Sequence, residues 1–132
     1  MATVNLSDYQ PLQNDDASSY RIGIVVSEWN DFVTYNLRDG ALEVLTKEGV
    51  KEENIKIFSV PGAFELNYAS MQLCKSDYFD AVISIGCVIR GETAHFDYVC
   101  SAVAQGIKDC NILTDVPTIF CLLTDDTKEQ SI

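Results

Sequence analysis

The chain reads as an α/β layered sandwich built around a central parallel sheet. Three observations predict this. Apolar, β-rich runs alternate with segments whose apolar residues recur at helical spacing, in the order β-α-β-α-β-α-β. The first run is continuously apolar and the fourth is apolar on both alternating faces, as strands covered on two sides must be. The length, 132 residues without a low-complexity tract or interdomain linker, fits one domain and can bury a sizeable core.

Residues 1–20 are polar, with Asp15-Asp16 and Ser18-Ser19, and read as a flexible N-terminal arm ahead of a domain spanning 21–132. Residues 22–26 form a continuous apolar run and a buried strand. Asn30 or Asp31 is placed to cap the following helix. In that helix Val33, Leu37, Ala41, Val44 and Leu45 share one face, opposite Arg38, Asp39, Glu43 and Lys47, and Gly49 is its stop. Residues 55–60 read as the second strand, cut by Pro61-Gly62, and 64–74 as the second helix. Residues 81–88 are the third strand. Phe96, Val99, Cys100, Val103, Ile107 and Cys110 make the apolar stripe of the third helix. Residues 118–123 are the fourth strand, closed by Thr124-Asp125-Asp126. Thr127 and Gln130 have capping-box spacing and open a further helical turn. One turn is not stable alone in water. A neighbouring subunit or a further C-terminal helix is therefore expected to cover the fourth strand.

Composition narrows the function. With 47% hydrophobic and 22% charged residues, the chain is not of the disordered class. The longest nearly apolar run, residues 81–89, falls far short of the ~20 residues that cross a bilayer. A net charge of −11 argues against nucleic acid and anionic membranes as partners. Any anionic substrate must then be held by local features against the global field. Five cysteines without a CxxC, and a single His, assemble no familiar zinc set. They read as reduced, buried thiols of a cytoplasmic protein. Residues 1–20 hold no Lys or Arg and no apolar segment, unlike a secretory signal or an Arg-rich transit peptide.

Open parallel sheets bind ligands beyond the carboxyl ends of their strands, so the chemistry is sought in those loops. Trp29 follows the first strand, where its ring can stack on a flat heterocycle or plug a helix end. Glu65, near the start of the second helix, can complement the helix dipole or accept hydrogen bonds from a polyol. Gly91-Glu92-Thr93 precedes the third helix. There a glycine allows close approach and free amides can hold phosphate, or Thr93 simply caps the helix. Arg90 and Lys128 are the nearest cations. His95, in the first turn of that helix, is either a hydrogen-bonded structural residue or a base kept neutral by the helix end. Dinucleotide, P-loop and nucleophile-elbow motifs do not occur.

Together the segments VVSEWN (25–30), VPGAFE (60–65), GCVIRGETAHFDYV (86–99) and PTIFCLLTDDTKEQ (117–130) resemble the 6,7-dimethyl-8-ribityllumazine synthases, in order and at the right spacing. The resemblance implies a flavodoxin-like three-layer sandwich. It implies a transferase that condenses 5-amino-6-(D-ribitylamino)uracil with 3,4-dihydroxy-2-butanone 4-phosphate, the penultimate step of riboflavin biosynthesis, without metal or organic cofactor. It further implies homopentamers, assembled in some members into a 60-subunit icosahedral shell, with sites between neighbouring subunits. By position, Trp29 is implied to stack on the pyrimidine and Asn30 to lie beside it. Ala63, Phe64 and Glu65 are implied to line the ribityl chain, and Cys87, Val88 and Ile89 to contact the uracil. Gly91, Glu92 and Thr93 would form the phosphate loop, His95 would transfer protons, and Phe120 would reach a neighbour's site. The family pattern continues with an Arg that binds the substrate phosphate, whereas this sequence ends at Ile132. The alternative expectation is a ligand-binding or assembly-competent fragment with impaired catalysis.

Overall fold

The computed structural model describes residues 16–132. The arm expected over residues 1–20 therefore lies mostly outside the described residues. Within 16–20, Tyr20 N donates to Ala17 O, and Ala17 packs at the margin of the core.

Four strands, β1 (Ile22–Ser27), β2 (Ile55–Val60), β3 (Ala81–Ile89) and β4 (Thr118–Asp125), pair in parallel in the order β2-β1-β3-β4. Helix α1 (Asp31–Lys47) covers one face, while α2 (Leu66–Lys75) and α3 (His95–Thr114) cover the other. A single turn, α4 (Lys128–Ser131), closes the described chain. The expected layered α/β sandwich is thus what the chain forms.

The central position of β1 follows from its composition. All its residues are buried, since it is sandwiched between two strands and two helical layers. Its alternating side chains divide the core in two. Ile22, Ile24 and Val26 join Ile85 and Val50 beneath α1, with Leu37, Ala41 and Leu45 packed against them. Val25 faces the other way, toward Leu66, Cys74, Val103, Ile107 and Cys110. The thiol of Cys110 is pushed up to about 11, first by its burial and then by its neighbour Cys74.

One expectation needs adjustment. Val44, placed by its spacing on the buried face of α1, is exposed. Among the described residues α1 is the one long helix on its side of the sheet, so the flank of its stripe has no neighbour. The edge strands stand open, and β4 is the strand expected to need cover from a neighbour or a further helix. Ile57 and Phe58 on β2 and Ile119 and Phe120 on β4 all stand exposed.

Backbone geometry ends the elements where the sequence does. Gly49 adopts φ 92° just beyond α1, a conformation favouring glycine. Thr127 Oγ1 accepts from Gln130 N, and Gln130 Oε1 accepts from Thr127 N, completing the capping box of α4.

Candidate active site

In this strand order the winding reverses between β1 and β3, which is where a doubly wound sheet opens a crevice. The loops at the strand ends are tied together in pairs. Glu28 N donates to Val60 O and Trp29 N to Pro61 O, at 2.8 and 2.9 Å, joining the loops after β1 and β2. Arg90 N donates to Asp125 O at 2.9 Å and joins those after β3 and β4. Between the pairs lies a cleft of about 900 Å³. That is room for two small substrates side by side.

Asn30 bridges the crevice. It occupies the N-cap position of α1 but makes no side-chain cap. Instead its Nδ2 donates to Cys87 O at 3.0 Å, linking the end of β1 to the end of β3. Its backbone is left-handed, φ 63°, a conformation Asn tolerates better than most residues. Asn30→Ala loses that bond and strains the backbone, an expected cost of about 2 kcal/mol in chemical denaturation. Asn30→Gly is expected to recover the backbone share, roughly half.

The wall after β2 is a 3₁₀ turn, Ala63–Glu65, leading directly into α2. Ala63 is buried, while the ring of Phe64 faces outward and is 58% exposed. Glu65 Oε2 accepts from Gly62 N at 3.0 Å, so one carboxylate oxygen pins the turn. Oε1 makes no hydrogen bond among the described residues. Trp29 is 74% exposed at the mouth, a ring held by its backbone with an open face. Neither a plugged helix end nor a buried indole describes it.

Cys87, Val88 and Ile89 form the floor. The Cys87 thiol points away, donating to Ser131 Oγ at 3.6 Å, and Ser131 Oγ donates to Asp125 Oδ2 at 2.7 Å. Burial pushes that thiol up, against the opposing pull of Ser131. Its backbone carbonyl is what holds Asn30.

His95 opens α3 and lines the cleft with an exposed ring. Its backbone N donates to Thr93 Oγ1 at 3.3 Å, so Thr93 satisfies one amide of the helix start. Gly91, Glu92, Thr93 and Phe120 are not among the lining residues. The first three form an exposed loop just before His95, and Phe120 sits on the open β4 edge. Phe32, Tyr98, Val99 and Lys128 complete the lining. Tyr98 and Val99 stand three and four residues after His95 on the same helix, the spacing that brings side chains together. That spacing was the available signal for both.

The two nearby cations have different fates. Arg90 Nε donates to Asp126 Oδ1 at 2.7 Å, Nη1 lies 3.5 Å from Asp97 Oδ1, and its guanidinium stacks on Phe96. It is held outside the cleft. Lys128 enters it, with Nζ 4.6 Å from the Phe32 ring centre. Among the described residues no three His, Cys, Asp or Glu side chains gather to hold a metal ion.

A sequence model of 6,7-dimethyl-8-ribityllumazine synthase matches residues 19–132. The chain belongs to the 6,7-dimethyl-8-ribityllumazine synthase family. The lumazine synthase of Flavobacterium psychrophilum is 52% identical over 131 residues, covering 99% of this chain and 69% of that protein. That of Parabacteroides distasonis is 53% identical over 133 aligned residues, covering 99% of this chain and 83% of that protein. The counterpart in Bacteroides fragilis is 50% identical over 111 residues, or 84% of this chain and 78% of that protein. The parallel sheet and two-sided helical cover are the architecture expected of a lumazine synthase.

Proposed function

We propose that this chain is a transferase condensing 5-amino-6-(D-ribitylamino)uracil with 3,4-dihydroxy-2-butanone 4-phosphate to 6,7-dimethyl-8-ribityllumazine, releasing phosphate and water. The observation that carries the reading is a single cleft holding a stacking ring, a carboxylate and one imidazole at a family-matched sheet end. Trp29 offers a π-face to the pyrimidine. Cys87, Val88 and Ile89 present the β3 end to the uracil, with Asn30 fixing the Cys87 carbonyl. The free oxygen of Glu65 accepts from ribityl hydroxyls, while the other keeps the 63–65 turn in place. His95 moves protons during imine formation, phosphate elimination and ring closure. Gly91, Glu92 and Thr93 face the phosphate end of the bound pair.

The catalytic unit in this proposal is residues 21–132 together with neighbouring copies of the chain. Its substrates are small molecules, and its oligomer is a pentamer, extending in the larger arrangement to a 60-subunit shell. Exposed Ile119 and Phe120 on the β4 edge support such a partner, with Phe120 reaching toward the neighbour's cleft. A cytoplasmic location accords with five free thiols. No described helix is long and apolar enough to cross a membrane.

The test is turnover with both substrates, followed by lumazine absorbance. Product formed in proportion to protein supports the proposal, and a rate equal to the uncatalysed condensation refutes it. Light scattering of the same sample reports the assembly.

A further inference from the structure

We propose that Arg90 is a positioning residue for His95, the clamp that sets where the imidazole enters the cleft; its effect on rate rests on the proton transfer proposed above. The His95 ring makes no hydrogen bond among the described residues, so its place is inherited from the backbone at the start of α3. The residues of that start do little to hold it. Ala94 occupies the N-cap position without a side-chain cap, and Thr93 Oγ1 accepts from His95 N at 3.3 Å. Residues 91–95 are all exposed, and a Cβ added at Gly91 would meet nothing within 4 Å, so the loop is open to solvent at its tip.

Arg90 supplies the missing ties. Its backbone N donates to Asp125 O at 2.9 Å, which fixes its root to the end of β4. From there the side chain crosses the first turn of α3. The guanidinium carbon lies 4.3 Å from the ring centre of Phe96, and Nη1 reaches Asp97 Oδ1 at 3.5 Å. On the other side Nε donates to Asp126 Oδ1 at 2.7 Å. Phe96 and Asp97 are the two residues that follow His95, and Phe96 is buried. The guanidinium thus closes the 90–97 loop on itself and pins it to the loop after β4. A planar fork meets a ring face and two carboxylates in one fixed orientation, which a flexible ammonium does not. The exposure of these groups decides what kind of tie this is. The side chains are 44% exposed for Arg90, 62% for Asp97 and 64% for Asp126. Ion pairs so open to water add little to global stability. Their effect is local, on the direction of the α3 start, and His95 is the residue there with chemistry to lose.

Steady-state turnover of the full chain tests the proposal, run as a double-variant cycle with His95→Ala. Arg90→Met removes the fork and its charge, and Arg90→Lys keeps the charge alone. Arg90→Met is expected to lower kcat about 5- to 20-fold, short of the roughly 10²-fold ceiling set by losing the imidazole altogether. KM for the ribitylaminouracil is expected to stay within about threefold of the parent, and Tm within about 4 °C. In the His95→Ala background the same substitution is expected to change kcat by less than about twofold, because the group it positions is gone. Arg90→Lys is expected to recover no more than about a third of the lost rate. His95 is the single histidine of the chain, so isotope-labelled histidine reports it by one imidazole signal. That signal is expected to shift in Arg90→Met while the amide signals of β1 keep their positions. An equal kcat loss with and without His95 overturns the proposal, as does an imidazole signal that Arg90→Met leaves unmoved. A rate fully restored by Arg90→Lys assigns the effect to charge and overturns the clamp. A fall in Tm of about 10 °C or more in Arg90→Met assigns the residue to folding and overturns it too. A chain without turnover whose imidazole signal follows Arg90 upholds the clamp and overturns the condensation instead.

Discussion

His95→Ala is expected to lower kcat by about 10²-fold, the low end for loss of a general acid–base group. The substitution removes little else. The helix start depends on the His95 backbone N, which donates to Thr93 Oγ1 and is unaffected by loss of the ring. The ring itself makes no hydrogen bond among the described residues and is exposed to the cleft, so its loss opens no core cavity. What remains after the change is positioning. In the proposed reading, Trp29, the Glu65 turn and the paired loops still hold two substrates in register, and proximity alone is worth much of the rate in a bimolecular condensation. That is why the loss is expected near the bottom of the range. The measurement is kcat by lumazine absorbance, with ribitylaminouracil KM as the control for binding. Imidazole added to the variant is expected to restore part of the rate, because the open cleft admits it where the side chain stood. An unchanged kcat refutes a proton-transfer role. A raised KM with kcat intact assigns the ring to binding instead.

The strands and the core were legible in the sequence because apolar runs and periodicity encode burial directly. Residues 22–26 read as a buried strand, and Ile22–Ser27 is the most enclosed of the sheet. Of the helix stripe, Phe96, Val103, Ile107 and Cys110 are buried as their spacing indicates, while Val99 and Cys100 are half-buried. What periodicity could not encode is the partner a polar side chain selects in three dimensions. Asn30 looked like a helix cap, yet its amide crosses to the Cys87 carbonyl because the switch point brings β3 beside it. Glu65 had a structural and a binding reading, and the structure divides them between two oxygens: one caps Gly62 and one is left for solvent or ligand. Arg90 and Lys128 looked equivalent along the chain. The long reach from β3 to the loop after β4 ties Arg90 to Asp126, while the capped α4 turn aims Lys128 inward. The want of cover on β4 was legible, since it is apolar on both faces; the openness of β2 was not. Apolar content says that a strand wants cover, but edge position decides whether the same chain provides it.

The largest stability effect is expected where the core meets the cleft wall. Leu66 is fully buried at the first position of α2, immediately after Glu65, and packs in the cluster shared with Val25, Val82 and Leu122. Leu66→Ala is expected to cost about 2–5 kcal/mol, from lost apolar burial plus the cavity left behind. That corresponds to a fall in Tm of about 10 °C or more for a chain this size. The local geometry allows a sharper test than the single variant. A Cβ added at Gly86 would lie 2.9 Å from Leu66 Cδ1 and 2.5 Å from Leu122 Cδ1, so Gly86→Ala overpacks the same region. Alone it is expected to cost about 1–3 kcal/mol. In the double variant the shortened side chain at 66 relieves one of the two close approaches, and the methyl at 86 partly fills the space it vacated. The combined loss is therefore expected to fall short of the sum by roughly 1 kcal/mol, the coupling of residues in direct contact. Urea denaturation of the parent, both single variants and the double variant measures it. Strict additivity would mean that Leu122 alone sets the cost at Gly86, and that the space beside the end of β3 is set by β4 rather than by the helix that follows the 63–65 turn.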